Sequence, residues 1–292
     1  LINPVNKLGS VPVGKPNPVR IMGILNASPE SFYKKSVKKG IQIANAVQQM
    51  EQDGADLIDV GGMSTAPYLS TMVSEKEEAR RVTGAIKQIQ RVSNLPISVD
   101  TCRSFVAKEA LEQGADILND ISGLKYDRQM LAIVERYSPS LVLCAYSKTP
   151  VRGDQIAQTR LLLKQSLALA RSAKIPASKI TVDPAIGFFR KTGKNPFYTK
   201  IKTDWFKRDL EILQNLSCLK MNQPVMVSVS NKSFIGKILG KKNPNDRLYG
   251  SLAAEVIATL NGADVIRTHN VKETKQAVAA AQMFSKKSKQ NL

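Results

Sequence analysis

Three stretches, "DGADLIDVGG" (53–62), "QGADILNDISG" (113–123) and "NGADVIRTHN" (261–270), share one grammar. In each, a helix ends at Gly-Ala-Asp and a short apolar run gives way to polar residues, which is an α-to-β connection made three times. Five more runs read as short buried strands: "VRIMGILN" (19–26), "PISVD" (96–100), "SLVLCAY" (140–146), "KITVDPAIG" (179–187) and "PVMVSVS" (224–230). Helix-period segments lie between them. "SEKEEARRVTGAIKQIQRV" opens with a capping box, Ser74 followed three residues on by Glu77. "RSFVAKEALEQG", "DQIAQTRLLLKQSLALARSA", "DWFKRDLEILQNL" and "RLYGSLAAEVIATLNG" read likewise. Eight apolar strands alternating with helices predict a parallel sheet covered on its outer side, and the count points to a single-domain α/β fold, the closed (β/α)8 TIM barrel. A doubly wound open sheet is the alternative, but no GxGxxG follows the first strand. The expected division is an N-terminal extension at 1–18, the barrel at 19–284 and a basic tail at 285–292.

Composition agrees with one large core: 292 residues, 42% hydrophobic. The N-terminal stretch carries Pro, Gly and Asn where a signal peptide needs an apolar core, and no run of 18 apolar residues occurs, so a cytoplasmic protein away from the membrane is expected. Cys102, Cys144 and Cys218 are odd in number and far apart, which argues against a disulfide framework or a structural zinc site. The charge is lopsided, with 43 Lys+Arg against 24 Asp+Glu, a net +19. The lysines cluster at 34–39, 190–202 and 237–242 and in the tail, without a recognition-helix, zinc-finger or RNP-like motif. A solvated basic surface with local anion binding is therefore favoured over nucleic acid as a partner.

Barrel enzymes build their sites at the C-terminal strand ends. There the chain carries Asn26, Asp59, Asp100, Asn119 with Asp120, Asp183, Ser230 with Lys232, and Arg267 with His269. Each has a structural reading: Asp100 as a helix cap, Asp59 and Asp120 as braces for backbone turns, Lys232 as a solvated lysine. Together they describe a polar ligand with donor and acceptor edges and an anionic part. His269 is the single histidine, so a zinc site is not expected. It follows Arg267 by two residues, the spacing that puts both on one face of a strand, and the pair reads as an anion clamp in which the imidazole gains strength as a cation. "SVSNKSFIGK" (228–237) is not a Walker A loop, so ATP is not indicated. "GILNASPESFYKKS" (23–36) reads as a mobile loop after the first strand.

The motifs "GILNASPESF", "DLIDVGGMSTAP", "ISVDT", "ILNDISG", "DPAIGF", "SNKSFIG" and "IRTHNVKE" stand in the order and at the strand positions of the dihydropteroate synthase family, which the chain resembles from about residue 19 to 283. The resemblance implies a transferase that condenses 6-hydroxymethyl-7,8-dihydropterin diphosphate with a p-aminobenzoate-type arylamine and releases pyrophosphate with Mg2+, in folate or methanopterin biosynthesis. It implies that Asp100, Asn119, Asp183 and Lys232 hold the pterin ring with Phe188 beside it. Asn26, Thr65, Arg267 and His269 would take the diphosphate, Asn26 also its metal, and Thr65 and Ser230 would face the arylamine. Lys232, Arg267 and His269 would be the catalytic groups, stabilising charge on the departing pyrophosphate. A homodimer is compatible with the family.

The chain also departs from the family pattern. In "GGMSTAP", Met63 stands for a glutamate and Ala66 for an arginine; Lys34 lies near the place of an acidic residue, and Asn231 replaces an arginine. "LCAYSK" replaces a Met-His element, and "FFRKTGKNPFYTKIKTDWF" (188–206) is a long basic and aromatic loop. The extra lysines would suit a larger anionic acceptor such as a phosphoribosylated aminobenzene. Two alternatives stay open: a pterin-binding methyltransferase, which has no need of the Arg-x-His pair, and a homologue without turnover that binds pterin or nucleic acid.

Overall fold

The computed structural model describes residues 5–28 and 40–287. Eight strands run parallel in one sheet: β1 (Arg20–Asn26), β2 (Leu57–Gly61), β3 (Ile97–Asp100), β4 (Ile117–Asp120), β5 (Ser140–Cys144), β6 (Ile180–Asp183), β7 (Met226–Val227) and β8 (Val265–Thr268). Their order is β7-β8-β1-β2-β3-β4-β5-β6, and a parallel bridge from Val182 to Val225 joins the last to the first and closes the barrel. The helices are α1 (Ile41–Gln52), α2 (Glu75–Ile89), α3 (Ser104–Glu112), α4 (Met130–Tyr137), α5 (Gln155–Ser172), α6 (Trp205–Gln214), the short α7 (Ser233–Leu239), α8 (Leu248–Leu260) and α9 (Val271–Lys287). The expected (β/α)8 TIM barrel is the observed fold, with α7 inserted between β7 and α8. Ser74 caps α2 as its sequence predicts, accepting the Glu77 N–H at 3.2 Å.

The Gly-Ala-Asp repeats close the barrel from below. Gly54, Gly114 and Gly262 follow α1, α3 and α8 with φ of 94°, 102° and 101°, a conformation that costs glycine little. The next residue's N–H then reaches back five positions: Ala55 to Met50 O at 2.9 Å, Ala115 to Ala110 O at 3.0 Å, Ala263 to Ala258 O at 2.9 Å. This is the Schellman way of ending a helix. Each aspartate then bonds the start of the preceding strand. Asp56 accepts from Ile21 N at 2.8 Å, Asp116 from Ile97 N at 2.9 Å and Asp264 from Val225 N at 2.9 Å. One tripeptide thus stops a helix, turns the chain and stitches neighbouring strands.

Beneath the strands an antiparallel hairpin, Lys7–Leu8 with Val11–Pro12, forms a floor. Leu8 and Val13 bury against Met22, Leu57, Ile117, Val142, Met226 and Val265, the lowest inward layer of the barrel. Gly9 N donates to Ser140 Oγ at 3.0 Å and Arg20 Nε to Pro12 O at 2.9 Å. A second, larger apolar cluster packs the helices on the outer face of the sheet. No helix among the described residues is long and apolar enough to cross a membrane.

The strand expected over 224–230 is shorter than its apolar pattern. Ladder pairing stops at Val227, and Ser228 and Ser230 leave it with their hydroxyls accepting from the Arg267 side chain of β8, NH1 at 3.5 Å, and from the backbone N–H of His269 just after it at 3.3 Å. The strand gives up pairing where the site begins.

Candidate active site

Inside the barrel, alternate residues of each strand point to the axis, and above the apolar floor most of these positions are polar, Ile24 of β1 and Cys144 of β5 excepted. Asp59 lies mid-strand in β2 and is fully buried, as are Ser98 and Thr181. Asn119, at 4% exposure, donates through Nδ2 to both Asp59 oxygens at 3.3 Å. Arg267 of β8 crosses the axis to meet them. Its Nε donates to Asp59 Oδ2 at 2.6 Å and its NH2 to Asp100 Oδ2 at 2.8 Å. Burial acts against the guanidinium's charge, but the two carboxylates hold its proton more tightly than usual.

Above this layer a cleft opens at the C-terminal ends of the strands. It brings together Asn26, Thr65, Asp100, Phe188, Ser230, Lys232, Arg267 and His269 of the residues expected at the site. Asn119 and Asp183 lie outside its wall. Asn119 joins it through Asp59 and Arg267, whereas Asp183 accepts the Ala185 N–H at 2.7 Å and acts on Lys232 through its charge.

The electrostatics follow from enclosure. Burial pushes the Asp100 carboxyl up to about 7, against the pull of Arg267 and with help from Asp59 and Glu78. Burial likewise raises Asp183 to about 6, opposed by the Ala185 N–H and by Lys232. Burial, then Arg267, pushes the Lys232 ammonium down to about 8. That ammonium sits 4.1 Å from the centre of the Phe188 ring, and Gly187 packs so closely on the lysine stem that a Cβ there would stand 2.9 Å from Cδ. The site therefore offers two acids with raised proton affinity beside a lysine with a lowered one.

Arg267 and His269 share a wall of the cleft, as their spacing predicts, but they differ from the expected clamp. The guanidinium is engaged by two carboxylates. Burial, then Arg267 and Lys232, pushes His269 down to about 3, so the imidazole is neutral, not the cation the sequence suggested. Its Nδ1 lies 3.1 Å from Ser230 Oγ.

The structural alternatives open to the three acids fare differently. Asp59, read as a brace for a turn, is instead the fully buried partner of Arg267. Asp100 caps no helix: the Ser104 N–H of α3 bonds Asp127 Oδ2 at 2.8 Å. Asp120 does brace a turn, accepting from Ser122 N at 2.7 Å and Leu124 N at 2.9 Å. Tyr68 and Ser233 line the cleft without having been singled out. Ser233 was legible as the residue after Lys232, while nothing near Tyr68 distinguishes it. Met63 and Ala66, the two departures in the second loop, are buried in the cleft wall. Asn231 turns away from it, with φ 57° and its N–H on Ser251 Oγ at 2.9 Å, a left-handed position that asparagine tolerates. Lys34 and Lys35 lie outside the described residues.

The chain matches the family model for pterin binding enzymes over residues 22–269. It is 34% identical over 270 residues to a dihydropteroate synthase of Synechocystis sp., covering 89% of this chain and 88% of that relative. A dihydropteroate synthase from Clostridium difficile, solved in the presence of pteroic acid, is similar with a TM-score of 0.79 and 32% identity, covering 93% of this chain and 98% of that one. The Xanthomonas albilineans dihydropteroate synthase with 4-aminobenzoic acid gives a TM-score of 0.78 and 29% identity, covering 92% and 93%.

Proposed function

The chain belongs to the dihydropteroate synthase family of pterin-binding enzymes, and on that premise we propose that it condenses 6-hydroxymethyl-7,8-dihydropterin diphosphate with a p-aminobenzoate-type arylamine and releases pyrophosphate. The observation that carries this reading is the stack of buried Asp59, Asn119 and Asp183 under a cleft lined by half-buried Asp100 with Lys232, Arg267 and His269. A pterin edge is rich in N–H donors beside ring acceptors, and carboxylates with an amide complement it. In this reading Asp100, Asn119, Asp183 and Lys232 hold the ring, and Phe188 flanks it. Asp183 and Asp100, with their raised proton affinity, can donate or accept as the ring requires.

Asn26, Thr65, Arg267 and His269 take the diphosphate. Arg267 can give its hydrogens not used by Asp59 and Asp100, and neutral His269 gives one N–H, so the mobile charge on the leaving group falls chiefly to Lys232. Thr65 and Ser230 face the arylamine. Among the described residues no three His, Cys, Asp or Glu form a cation cage. A Mg2+ would be held through the Asn26 amide oxygen in the cleft wall, an oxygen ligand of the kind that ion prefers. When bound there it would neutralise charge on the departing pyrophosphate.

Phosphoribosylated aminobenzene is the second acceptor to test, since it would use the excess of cations. A homodimer is supported by α8, whose exposed Tyr249, Ile257 and Leu260 follow one helical stripe. Cys102 and Cys144 are buried free thiols, which suits the reducing cytoplasm. Calorimetry with the pterin diphosphate and Mg2+ tests the site: Asp183→Ala should abolish the binding heat and His269→Ala should weaken it about tenfold. Unchanged binding by both variants would overturn the assignment.

A further inference from the structure

The loop between β2 and α2 supplies one wall of the cleft through Ser64, Thr65, Ala66, Pro67 and Tyr68. It has little regular structure of its own: a turn from Leu69 N to Ala66 O at 3.0 Å and a bond from Thr71 Oγ1 to Ser64 O at 2.6 Å. Its carbonyls converge instead on the long loop between β6 and α6. Asn195 Nδ2 donates to Ala66 O at 2.8 Å and lies 3.4 Å from both Thr65 O and Leu69 O. Lys194 N donates to Pro67 O at 2.7 Å.

That strap is itself anchored. Asn195 is 8% exposed, and its other amide atom, Oδ1, accepts the Phe197 N–H at 2.9 Å. Phe197 is buried edge-on against Tyr126 with ring centres 5.0 Å apart. Tyr146 OH donates to Pro196 O at 2.9 Å and Ser147 N to Thr199 Oγ1 at 2.9 Å, tying the strap to the segment after β5. Thr199 N bonds Phe188 O at 3.0 Å, so the strap closes on the cleft residue where it begins and reaches the Thr65 wall at its middle.

We propose that Asn195 is a positioning residue that holds the Thr65 wall in its acceptor-ready form, and that the 188–201 segment thereby sets the affinity for the arylamine. The inference rests on the assignment of this cleft to a pterin diphosphate and an arylamine. The amide is needed for both of its atoms. An aspartate in its place keeps the acceptor for Phe197 N but turns a carboxylate onto three carbonyl oxygens; an alanine removes the donor from all three and leaves Ala66 O only its turn bond from Leu69 N. Either change lowers the fraction of molecules with the wall formed, and an apparent dissociation constant rises in inverse proportion to that fraction.

The test measures both variants, Asn195→Asp and Asn195→Ala, for steady-state kinetics with p-aminobenzoate and for amide hydrogen exchange of the unliganded protein. The expected result is an arylamine KM raised about tenfold with kcat changed less than about threefold, pterin diphosphate affinity lowered less than about threefold because Thr65 is one of four groups on that diphosphate, and faster exchange confined to residues 62–74. Exchange unchanged over 62–74 overturns the positioning role whether or not the enzyme turns over. Pterin diphosphate and arylamine affinities falling by the same factor overturn it as well, since that is loss of the fold and not of one wall. If wild type itself turns over no arylamine, the functional assignment fails while the exchange result still decides whether Asn195 holds the loop.

Discussion

Removing Arg267 should do more than weaken ligand binding. Its guanidinium lies 2.6 Å from Asp59 and 2.8 Å from Asp100, whose side chains are 0% and 19% exposed. Arg267→Ala would leave one wholly buried and one mostly buried carboxylate facing each other without a counter-charge. Breaking a buried pair in this way costs about 3–5 kcal/mol, which for a chain of this size lowers Tm by roughly 10 °C. The loss should depend on pH with a definite sign. Asp100 is already raised to about 7 by burial, against the pull of Arg267. Without that pull it rises further, so the folded variant takes up a proton, as pH falls, that the unfolded chain does not bind until far lower pH. Stability is then regained on acidification, and the deficit against wild type should be large at pH 8.5 and smaller at pH 6. Asp59→Asn combined with Arg267→Met, which removes charge from both sides, should be less damaging than Arg267→Ala alone. Thermal melts of the three variants at the two pH values decide the matter. A Tm for Arg267→Ala within about 2 °C of wild type at pH 8.5 would refute the claim that this arginine balances the barrel's buried acids.

Three other outcomes are expected. Lys232, brought down to about 8, loses its proton as pH rises, so pterin diphosphate affinity should fall above that pH, and calorimetry on Lys232→Met should find weaker binding without that dependence. Glu255 of α8 is raised to about 7 by burial, against its bond from Thr274 Oγ1 at 2.8 Å. Because its folded value lies above the unfolded one, wild type loses stability as pH rises through 7; Glu255→Gln should therefore be the more stable protein at pH 8.5, by up to about 3 kcal/mol, and lose that advantage near pH 5. Leu8→Ala should cost about 2–4 kcal/mol in urea unfolding at unchanged arylamine KM, since Leu8 is fully buried in the floor far below the cleft.

The barrel was legible because its signal is local and repeated. Gly54, Gly114 and Gly262 each stand where a helix must end, and Asp56, Asp116 and Asp264 each stand where a strand begins, so three copies of one tripeptide mark the period of the fold. The convergence of Asn26, Asp100, Lys232 and Arg267 followed from strand ends alone. What escaped depends on contacts between residues far apart in the chain. Asp59 is 208 residues from Arg267, and its mid-strand place resembles that of any buried polar group. The neutrality of His269 comes from enclosure beside two cations, which no spacing reveals. The hairpin at 7–12 is too short to show a pattern, yet it supplies the floor. The loop at 188–206 was visible as basic and aromatic, but the reach of Asn195 to carbonyls 126 to 130 residues away was not.

Pyrophosphate release tests the central claim most directly. With 6-hydroxymethyl-7,8-dihydropterin diphosphate and Mg2+ supplied, wild type should release pyrophosphate on addition of p-aminobenzoate, in step with formation of the pterin–arylamine product, and Asp183→Ala should not. Binding of the diphosphate without release, with p-aminobenzoate and with phosphoribosylated aminobenzene alike, would contradict the account.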